Sequence, residues 1–151
     1  MNTAHNRVEV LHGPNFDVLE RRDPEVYGGH SLNELERQIR TWGQEAGLNA
    51  RCFQTNAEGD FIEHLHRLPE LADAAIVNAG AWTHYSRAIA DALELTRLPA
   101  VEVHISDVDS REEWRRVSVF DGLVLAKIAG RGVEGYRDAL ALIADRLGAE
   151  D

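Results

Sequence analysis

The sequence has 151 residues, the length of one domain, and its hydrophobic content of 44% and charged content of 28% are those of an ordinary globular protein. Its formal net charge of −10 disfavours a nucleic-acid backbone or an anionic membrane as the main partner, because both would be repelled. The N-terminal stretch MNTAHNRVEV lacks the apolar core of a signal peptide, and the one cysteine, Cys52, cannot form an internal disulfide. We expect a single domain over residues 1–151 and a cytoplasmic location.

Five short apolar runs predict the strands of one sheet. They cover residues 8–11, 50–53, 74–77, 100–103 and 123–128. None of them alternates strictly between apolar and polar residues over a long stretch, and this is typical of parallel strands that are buried on both faces.

Amphipathic helical patterns separate these runs. Ser31 and Glu34 form an S-x-x-E capping box at the start of the first pattern, and Gly47 supplies its stop. A second pattern begins near residue 61 and is expected to end at Pro69, a third follows around residues 89–93, and the strongest covers residues 133–147. The alternation predicts an α/β domain with a five-stranded parallel sheet and helices on both faces.

Polar segments follow four of the predicted strands. They read HGPN at residues 12–15, QTN at 54–56, NAGAWTH at 78–84 and EVHIS at 102–106. Ligands of such sheets bind beyond the carboxyl ends of the strands, so the concentration of histidines, amides and a serine there predicts a site. His5, His30, His64 and His66 are expected at the surface.

Other kinds of site fit less well. The string GRGVEG at 130–135 follows the last strand instead of the first, so it predicts a tight turn with close helix packing and not dinucleotide binding. The G-K-[ST] of a phosphate loop is absent. A metal held by His12, His84 and His104 is disfavoured because no helical H-x-x-x-H occurs.

The loop LERRDPEVYGG, residues 19–29, suggests a reaction. A phenol is ordinarily protonated at neutral pH, but a guanidinium beside it favours the phenolate and makes proton abstraction feasible. A histidine held by a glutamate supplies an acid, while amide, hydroxyl and backbone N–H groups can hold a carboxylate or an oxyanion. This set suits removal of a proton next to a carbonyl followed by loss of a hydroxyl, as in a dehydratase.

These segments together resemble the type II 3-dehydroquinate dehydratases. The resemblance covers essentially the whole chain and rests on HGPNFDVLERRDPEVYGG, QTNAEGDFIEHLH, NAGAWTHYSRAIADAL and EVHISDVDSREEWRRVS, which occur in the family's order. It implies a single flavodoxin-like domain that converts 3-dehydroquinate to 3-dehydroshikimate by elimination of water, without a metal or an organic cofactor.

The resemblance also implies catalytic roles. Tyr27 would be the base on a mobile lid, and Arg22, in preference to its neighbour, would favour the phenolate form of Tyr27. Asn15 would hold a water that stabilises an enolate. His104, oriented by Glu102, would protonate the departing hydroxyl.

Substrate contacts follow from the same resemblance. Asn78, the Ser106 hydroxyl and the backbone N–H groups of Ile105 and Ser106 would bind the carboxylate, while His84 and Arg115 would hold the ring hydroxyls. The family assembles as trimers packed into a dodecamer, so Asp91 would reach into the site of a neighbouring subunit.

Some positions depart from the family's usual pattern. Glu20 stands where glycine is usual at the root of the lid, and a side chain there loses access to positive φ. Phe16-Asp17-Val18 replaces a more usual L-N-L run and Asp17 adds charge there, Trp82 and Tyr85 are bulky, and Asp107 replaces a common asparagine. These positions keep two alternatives open: a dehydratase of a related cyclic hydroxy-ketone acid, and a binding or regulatory protein without activity.

Overall fold

The computed structural model describes residues 5–149, so residues 1–4 and 150–151 of the predicted domain, and with them the start of MNTAHNRVEV, lie outside the described part. Five parallel strands form one sheet in the order β2-β1-β3-β4-β5. Their bounds are β1 Arg7–His12, β2 Asn49–Gln54, β3 Ala74–Asn78, β4 Ala100–His104 and β5 Ala126–Ala129. The predicted sheet is confirmed, and its strand order is that of a flavodoxin-like fold.

Helices cover both faces of the sheet, as predicted. They are α1 Pro24–Tyr27, α2 Leu32–Glu45, α3 Glu58–Leu71, α4 Arg87–Thr96 and α5 Glu134–Ala149. One apolar cluster joins α2 and α5 to the sheet, with Ile39, Ile76 and Ile143 at its centre. A second cluster joins α3 and α4 to the opposite face through Leu65 and Ile89. None of the helices within residues 5–149 has the length and apolarity needed to cross a bilayer.

Local signals fix the first long helix. The Glu34 backbone N–H donates to the Ser31 hydroxyl at 3.1 Å, and the Ser31 N–H donates to the Glu34 carboxylate at 3.0 Å. The predicted capping box is therefore confirmed. Gly47 has a φ of 79°, a conformation that favours glycine at a helix end, so its predicted stop is confirmed as well.

The end of α3 was predicted wrongly. The helix continues through Pro69 to Leu71, and the Ala72 N–H still donates to the Leu68 carbonyl at 2.9 Å. A proline this near the end of a helix removes a single backbone hydrogen bond. The buried Leu65 and Leu68 hold the last turn on the sheet in spite of it.

The solvated position predicted for His64 is also wrong. His64 is buried, its Nε2 lies 2.6 Å from Glu9 Oε2, and its ring stacks on Phe53 with centroids 3.8 Å apart. His64 shares its helical face with Phe61 and Leu68, at a spacing of three and four residues, and this places it over β1. His66, on the other face, is exposed as predicted.

The last strand is shorter than the apolar run that predicted it. Residues 123–125 lie in a turn that follows Gly122, whose φ is 86°. The Leu123 N–H donates to the Phe120 carbonyl at 2.9 Å, and Leu123 packs into the second apolar cluster from that turn. Leu123 and Val124 are thus partly buried against that cluster without lying in the strand, while Leu125 is 45% exposed and its N–H donates to the Ala100 carbonyl of β4 at 2.8 Å.

The string GRGVEG forms the predicted tight turn. Gly130 and Gly132 have φ values of 76° and 58°. A Cβ added to Gly135 would lie 3.3 Å from Ile128 Cγ2 and 3.4 Å from Val103 Cγ1, so this glycine lets α5 approach the sheet closely. The predicted helix packing is confirmed.

Candidate active site

A cavity of about 110 Å³ opens at the carboxyl ends of β1, β3 and β4, beside the point where the strand order reverses. Most of the predicted site residues line it, namely Asn15, Arg22, Tyr27, Asn78, His84, His104, Ile105, Ser106 and Arg115. Two of the predicted residues do not: Glu102 lies behind His104, and Asp91 is exposed on α4.

The lid segment carries Tyr27 into the cavity on the short helix α1. The Asp23 carboxylate accepts from the Glu25 N–H at 3.0 Å, and Pro24 occupies the first turn, so the segment starts as a capped helix. Gly28 and Gly29 end it with φ values of 83° and 75°, conformations that favour glycine. Tyr27 is buried, with 8% of its surface exposed.

A guanidinium contacts the Tyr27 hydroxyl from within the lid. Arg22 Nη2 donates to this oxygen at 2.6 Å, and the Arg22 guanidinium carbon lies 4.2 Å from the centre of the phenol ring. Arg21 is exposed at the end of the 3₁₀ segment Phe16–Arg21 and does not line the cavity. The structure therefore brings Arg22, and not Arg21, to the phenol.

A second guanidinium at Tyr27 was missed by the sequence reasoning. Arg111 Nη1 donates to the Tyr27 hydroxyl at 2.8 Å and to Ser106 Oγ at 3.1 Å. Arg111 lies within SREEWRR, where its charge cannot be told apart from those of Arg115 and Arg116. The structure thus places two guanidinium groups in contact with one phenol oxygen.

His104 forms the opposite side of the cavity. Its Nε2 lies 2.6 Å from Glu102 Oε2, and both residues are buried. The Ser118 hydroxyl, which the sequence reasoning also missed, donates to Glu102 Oε1 at 2.8 Å. Because both carboxylate oxygens have partners, the ring of His104 is fixed, and Nδ1 is the nitrogen left to meet a ligand.

His84 lies beside His104, with ring centroids 6.0 Å apart. Its Nδ1 donates to the Val117 carbonyl at 2.7 Å, so the unprotonated Nε2 of the neutral ring is an acceptor. Burial lowers the pKa of His84 from its ordinary value, and the Val117 carbonyl opposes that change without cancelling it. A neutral ring of this kind can accept a hydrogen bond from a substrate hydroxyl.

Arg115 reaches the cavity from the 3₁₀ segment Glu113–Arg116. Its Nε donates to Glu112 Oε2 at 3.1 Å, and its guanidinium carbon lies 4.2 Å from the centre of the Trp114 ring. The Trp114 edge in turn meets the His84 ring at 5.2 Å. This stacking fixes the direction of a long, flexible side chain.

Asn78 rests on a buried network beneath the cavity. Its Nδ2 donates to the Tyr136 hydroxyl at 3.0 Å, and that oxygen lies 2.8 Å from His12 Nε2. Burial lowers the pKa of His12 to about 3 and raises the pKa of Tyr136 above its ordinary value. His12 ends β1 at this edge of the sheet, as predicted, but its ring is fully buried and is linked to Asn78 through the Tyr136 hydroxyl.

Of the positions that depart from the family's pattern, Phe16 lines the cavity, whereas Glu20, Asp17, Val18, Trp82, Tyr85 and Asp107 do not. Glu20 does not have a positive φ, so its side chain causes no backbone strain at the root of the lid. Trp82 is buried against Phe61, with ring centroids 5.6 Å apart, and Tyr85 is 63% exposed. Asp17 accepts from Asn56 Nδ2 at 3.0 Å.

Asp107 lies at the back of the site and precedes the 3₁₀ segment Val108–Ser110. Its backbone carbonyl accepts from the Ser110 N–H and hydroxyl, and a Cβ on Gly130 would come within 3.1 Å of Asp107 Cβ.

Within residues 5–149, no three His, Cys, Asp or Glu side chains are grouped so as to hold a metal ion.

Comparisons of the sequence and of the structure with known proteins point to the same family. The family described as Dehydroquinase class II matches residues 6–144. A 3-dehydroquinate dehydratase of Pelobacter propionicus is 45% identical over 144 residues, which are 95% of this chain and 97% of that protein. One from Thermotoga maritima is 45% identical over 141 residues, 93% of this chain and 96% of the relative.

Solved structures agree. The type II dehydroquinase of Propionibacterium acnes superposes with a TM-score of 0.88 at 38% identity and covers 94% of this chain and 99% of its own. These matches extend over nearly the whole length of both chains, and the identities with the curated relatives are well above 30%. The chain belongs to the class II dehydroquinase family.

Proposed function

We propose that this protein is a 3-dehydroquinate dehydratase, which eliminates water from 3-dehydroquinate to give 3-dehydroshikimate through an enolate. The observation that carries the proposal is the pairing of a phenol held by two guanidinium groups with a histidine held by a carboxylate, across one small cavity. The names of the curated relatives support the substrate.

Tyr27 acts as the base. The cations of Arg22 and Arg111, both in contact with its oxygen, favour the phenolate, which takes the proton from C2 next to the substrate's C3 carbonyl. The electron pair of the broken C–H bond moves into the enolate. A water held by Asn15, which lines the cavity, donates to the enolate oxygen.

His104 acts as the acid in the second step. The enolate collapses, the C1–O bond breaks, and the leaving hydroxyl takes a proton from the ring and departs as water. Glu102, 2.6 Å from Nε2, stabilises the protonated ring before the transfer, and the proton is delivered from Nδ1. After the product is released, Tyr27 must lose its proton to solvent and His104 must take one up before the next turnover.

The remaining polar groups bind and orient the ring. Asn78, Ser106 and the N–H groups of Ile105 and Ser106 receive the carboxylate, while His84 and Arg115 hold the ring hydroxyls. Every proton and electron pair in the two steps is accounted for by protein groups and one water. We therefore infer that the reaction needs neither a metal nor an organic cofactor.

The test is an absorbance assay for the enone product with 3-dehydroquinate, with and without chelator. We expect turnover that chelator does not change, and a loss of roughly 100- to 10,000-fold in kcat for Tyr27→Phe. Tyr85→Phe is the matched control, because it removes a phenol oxygen from an exposed ring outside the cavity. Absence of turnover at micromolar enzyme, or equal kcat for both variants, would contradict the proposal.

The positions that depart from the family's pattern bear on the substrate. Glu20, Asp17, Trp82 and Tyr85 lie outside the cavity lining and so give no support to a related cyclic hydroxy-ketone acid, while Phe16 keeps an apolar side chain in that lining. A higher kcat/KM with such an analogue than with 3-dehydroquinate would reverse this choice.

We also propose that the subunits form trimers packed into a dodecamer, in which Asp91 completes a neighbour's site. Support comes from the exposed apolar side chains beside the cavity: Tyr85, Trp114 and Val117 are 63%, 46% and 58% exposed. Asp91 is exposed on α4, away from its own cavity.

Light scattering tests the mass, and subunit mixing tests the shared site. Copies with Tyr27→Phe and copies with Asp91→Ala should each be inactive. Refolded together, they should regain activity, since some sites then combine an intact Tyr27 with a neighbour's intact Asp91. Glu94→Ala, also on the exposed face of α4, is the control for Asp91→Ala. A fully active Asp91→Ala protein would contradict the shared site.

A further inference from the structure

Asn15 has a backbone conformation that needs support. Its φ is 75° and its ψ is 0°, the left-handed region that L-residues other than glycine seldom adopt. Asparagine tolerates this region better than most residues, yet the conformation still carries a free-energy cost. The Asn15 side chain does not cap the 3₁₀ segment that follows, so its amide is not used to fix the backbone.

The support comes from another loop. The Asn15 N–H donates to Asn56 Oδ1 at 2.8 Å, which joins the turn after β1 to the turn after β2. Gln54 Nε2, at the end of β2, donates to the same Asn56 oxygen at 3.2 Å and to the Gly13 carbonyl at 3.1 Å. The Asn15 N–H and the Gly13 carbonyl thus both hydrogen-bond to side chains at or just after the end of β2.

The opposite side of this turn is closed by backbone. A Cβ on Gly13 would lie 2.3 Å from the Ala79 carbonyl oxygen, and the Gly13 N–H donates to the Asn78 carbonyl at 2.9 Å. The turn therefore cannot move towards β3, and the Gly13 hydrogen bond and the contact of Asn15 with Asn56 hold its two ends in place.

Asp17 fixes which end of the Asn56 amide faces Asn15. Asn56 Nδ2 donates to Asp17 Oδ2 at 3.0 Å. An ionised carboxylate can only accept hydrogen bonds, so the NH₂ end of the amide must face Asp17. The carbonyl end then faces Asn15, and the donors from Asn15 and Gln54 require that same orientation.

We propose that Asn56, oriented by Asp17, is a positioning residue that holds Asn15 in its left-handed conformation and so keeps the Asn15 side chain in the cavity. The proposal rests on the proposed function for its effect on rate. If Asn15 acts on the enolate, its displacement lowers kcat and leaves KM nearly unchanged, because the enolate forms only after the substrate has bound.

Exchanging the amide at position 56 and the carboxylate at position 17, in two steps, tests the role directly. Asn56→Asp keeps an oxygen for the Asn15 N–H but sets a second carboxylate against Asp17, so kcat should fall roughly tenfold with KM within about twofold. Adding Asp17→Asn should restore kcat to within about threefold. The new amide at position 17 then donates to the new carboxylate at position 56, whose other oxygen still accepts from Asn15.

Asn33→Asp is the matched control, because it makes the same change of charge on the exposed face of α2, remote from the cavity. It should leave kcat and KM unchanged. A kcat for Asn56→Asp equal to that of the control, or a double variant no faster than Asn56→Asp, would overturn the proposal. A purely structural role would lower the melting temperature without this pattern of loss and rescue in kcat.

A second readout does not depend on turnover. In a crystal structure of Asn56→Ala, we expect Asn15 to have left the left-handed region, and in the wild type to retain a φ near 75°. An unchanged Asn15 in the variant overturns the proposal, whatever the activity. If the wild type does not convert 3-dehydroquinate, the proposed function fails, and the Asn15 conformation alone then decides whether Asn56 positions it.

Discussion

Arg111 donates from Nη1 to the Tyr27 hydroxyl at 2.8 Å, although 84 positions separate the two residues in the sequence. Arg22, which contacts the same oxygen, lies five residues before Tyr27 in the same segment, whereas Arg111 follows β4 and also contacts Ser106. Arg111 is therefore the group that ties the phenol to the body of the domain.

Arg111→Ala should lower kcat roughly 100-fold, because it removes a charge and the anchor of the lid together. Arg111→Lys should recover part of this loss, since an ammonium keeps the charge but loses the planar guanidinium whose Nη1 donates to both Tyr27 and Ser106. Steady-state kinetics with 3-dehydroquinate measure both. Arg137→Ala, on the exposed face of α5, is the control, and an Arg111→Ala enzyme as fast as that control would refute the role.

Ser118→Ala should lower kcat roughly three- to tenfold and leave KM nearly unchanged. The substitution removes the donor to Glu102 Oε1, so the buried carboxylate loses one of its two partners and holds His104 less firmly. Ser118→Thr, which keeps the hydroxyl, should retain most of the rate. Equal losses in the alanine and threonine variants would show that packing, and not the hydrogen bond, matters at this position.

The elements that the sequence predicts well are those fixed by local chemistry. Ser31 and Glu34 cap α2 with atoms three residues apart, and the polar segments after β1, β3 and β4 converge because parallel strands end at the same edge. Such features depend on spacing along the chain, which the sequence displays.

The errors come from contacts between distant segments. His64 has charged neighbours in sequence, but it lies on the same stripe as Phe61 and Leu68, and its partner Glu9 is 55 residues away. Arg111 is one of several arginines in a charged segment, and only the fold brings it to Tyr27. The helical spacing from Phe61 and Leu68 is a local signal for His64 that the sequence reasoning overlooked, whereas no local pattern distinguishes Arg111 from the arginines beside it.

The buried contact between His64 and Glu9 leads to a prediction about stability. Each has one polar atom without a partner among the described residues, Glu9 Oε1 and His64 Nδ1, so the pair is only half satisfied. His64→Phe removes the sole partner of a buried carboxylate and should lower the free energy of unfolding by about 3 kcal/mol. The double variant with Glu9→Leu should regain most of that loss, because an apolar pair carries no desolvation cost.

Urea denaturation of the single and double variants measures this coupling, with the exposed His66→Phe on the same helix as the control. The expected order of stability places the double variant above His64→Phe and close to the wild type. A double variant less stable than His64→Phe would mean that the polar contact is a net source of stability.

His12 should make the fold sensitive to acid. Burial lowers its pKa to about 3 from an ordinary value of 6.5, so between these values the unfolded chain binds a proton that the folded chain does not. Stability from this group is therefore complete above pH 6.5 and is lost as the pH falls towards 3. From pH 8 to pH 5 the loss should be about 2 kcal/mol, since each unit is worth about 1.4 kcal/mol.

Urea denaturation at both pH values, for wild type and His12→Asn, separates the contribution of this ring to the free energy of unfolding from those of the other titrating groups. The variant should lose about 2 kcal/mol less than the wild type between the two pH values. An equal loss in both proteins would contradict the assignment.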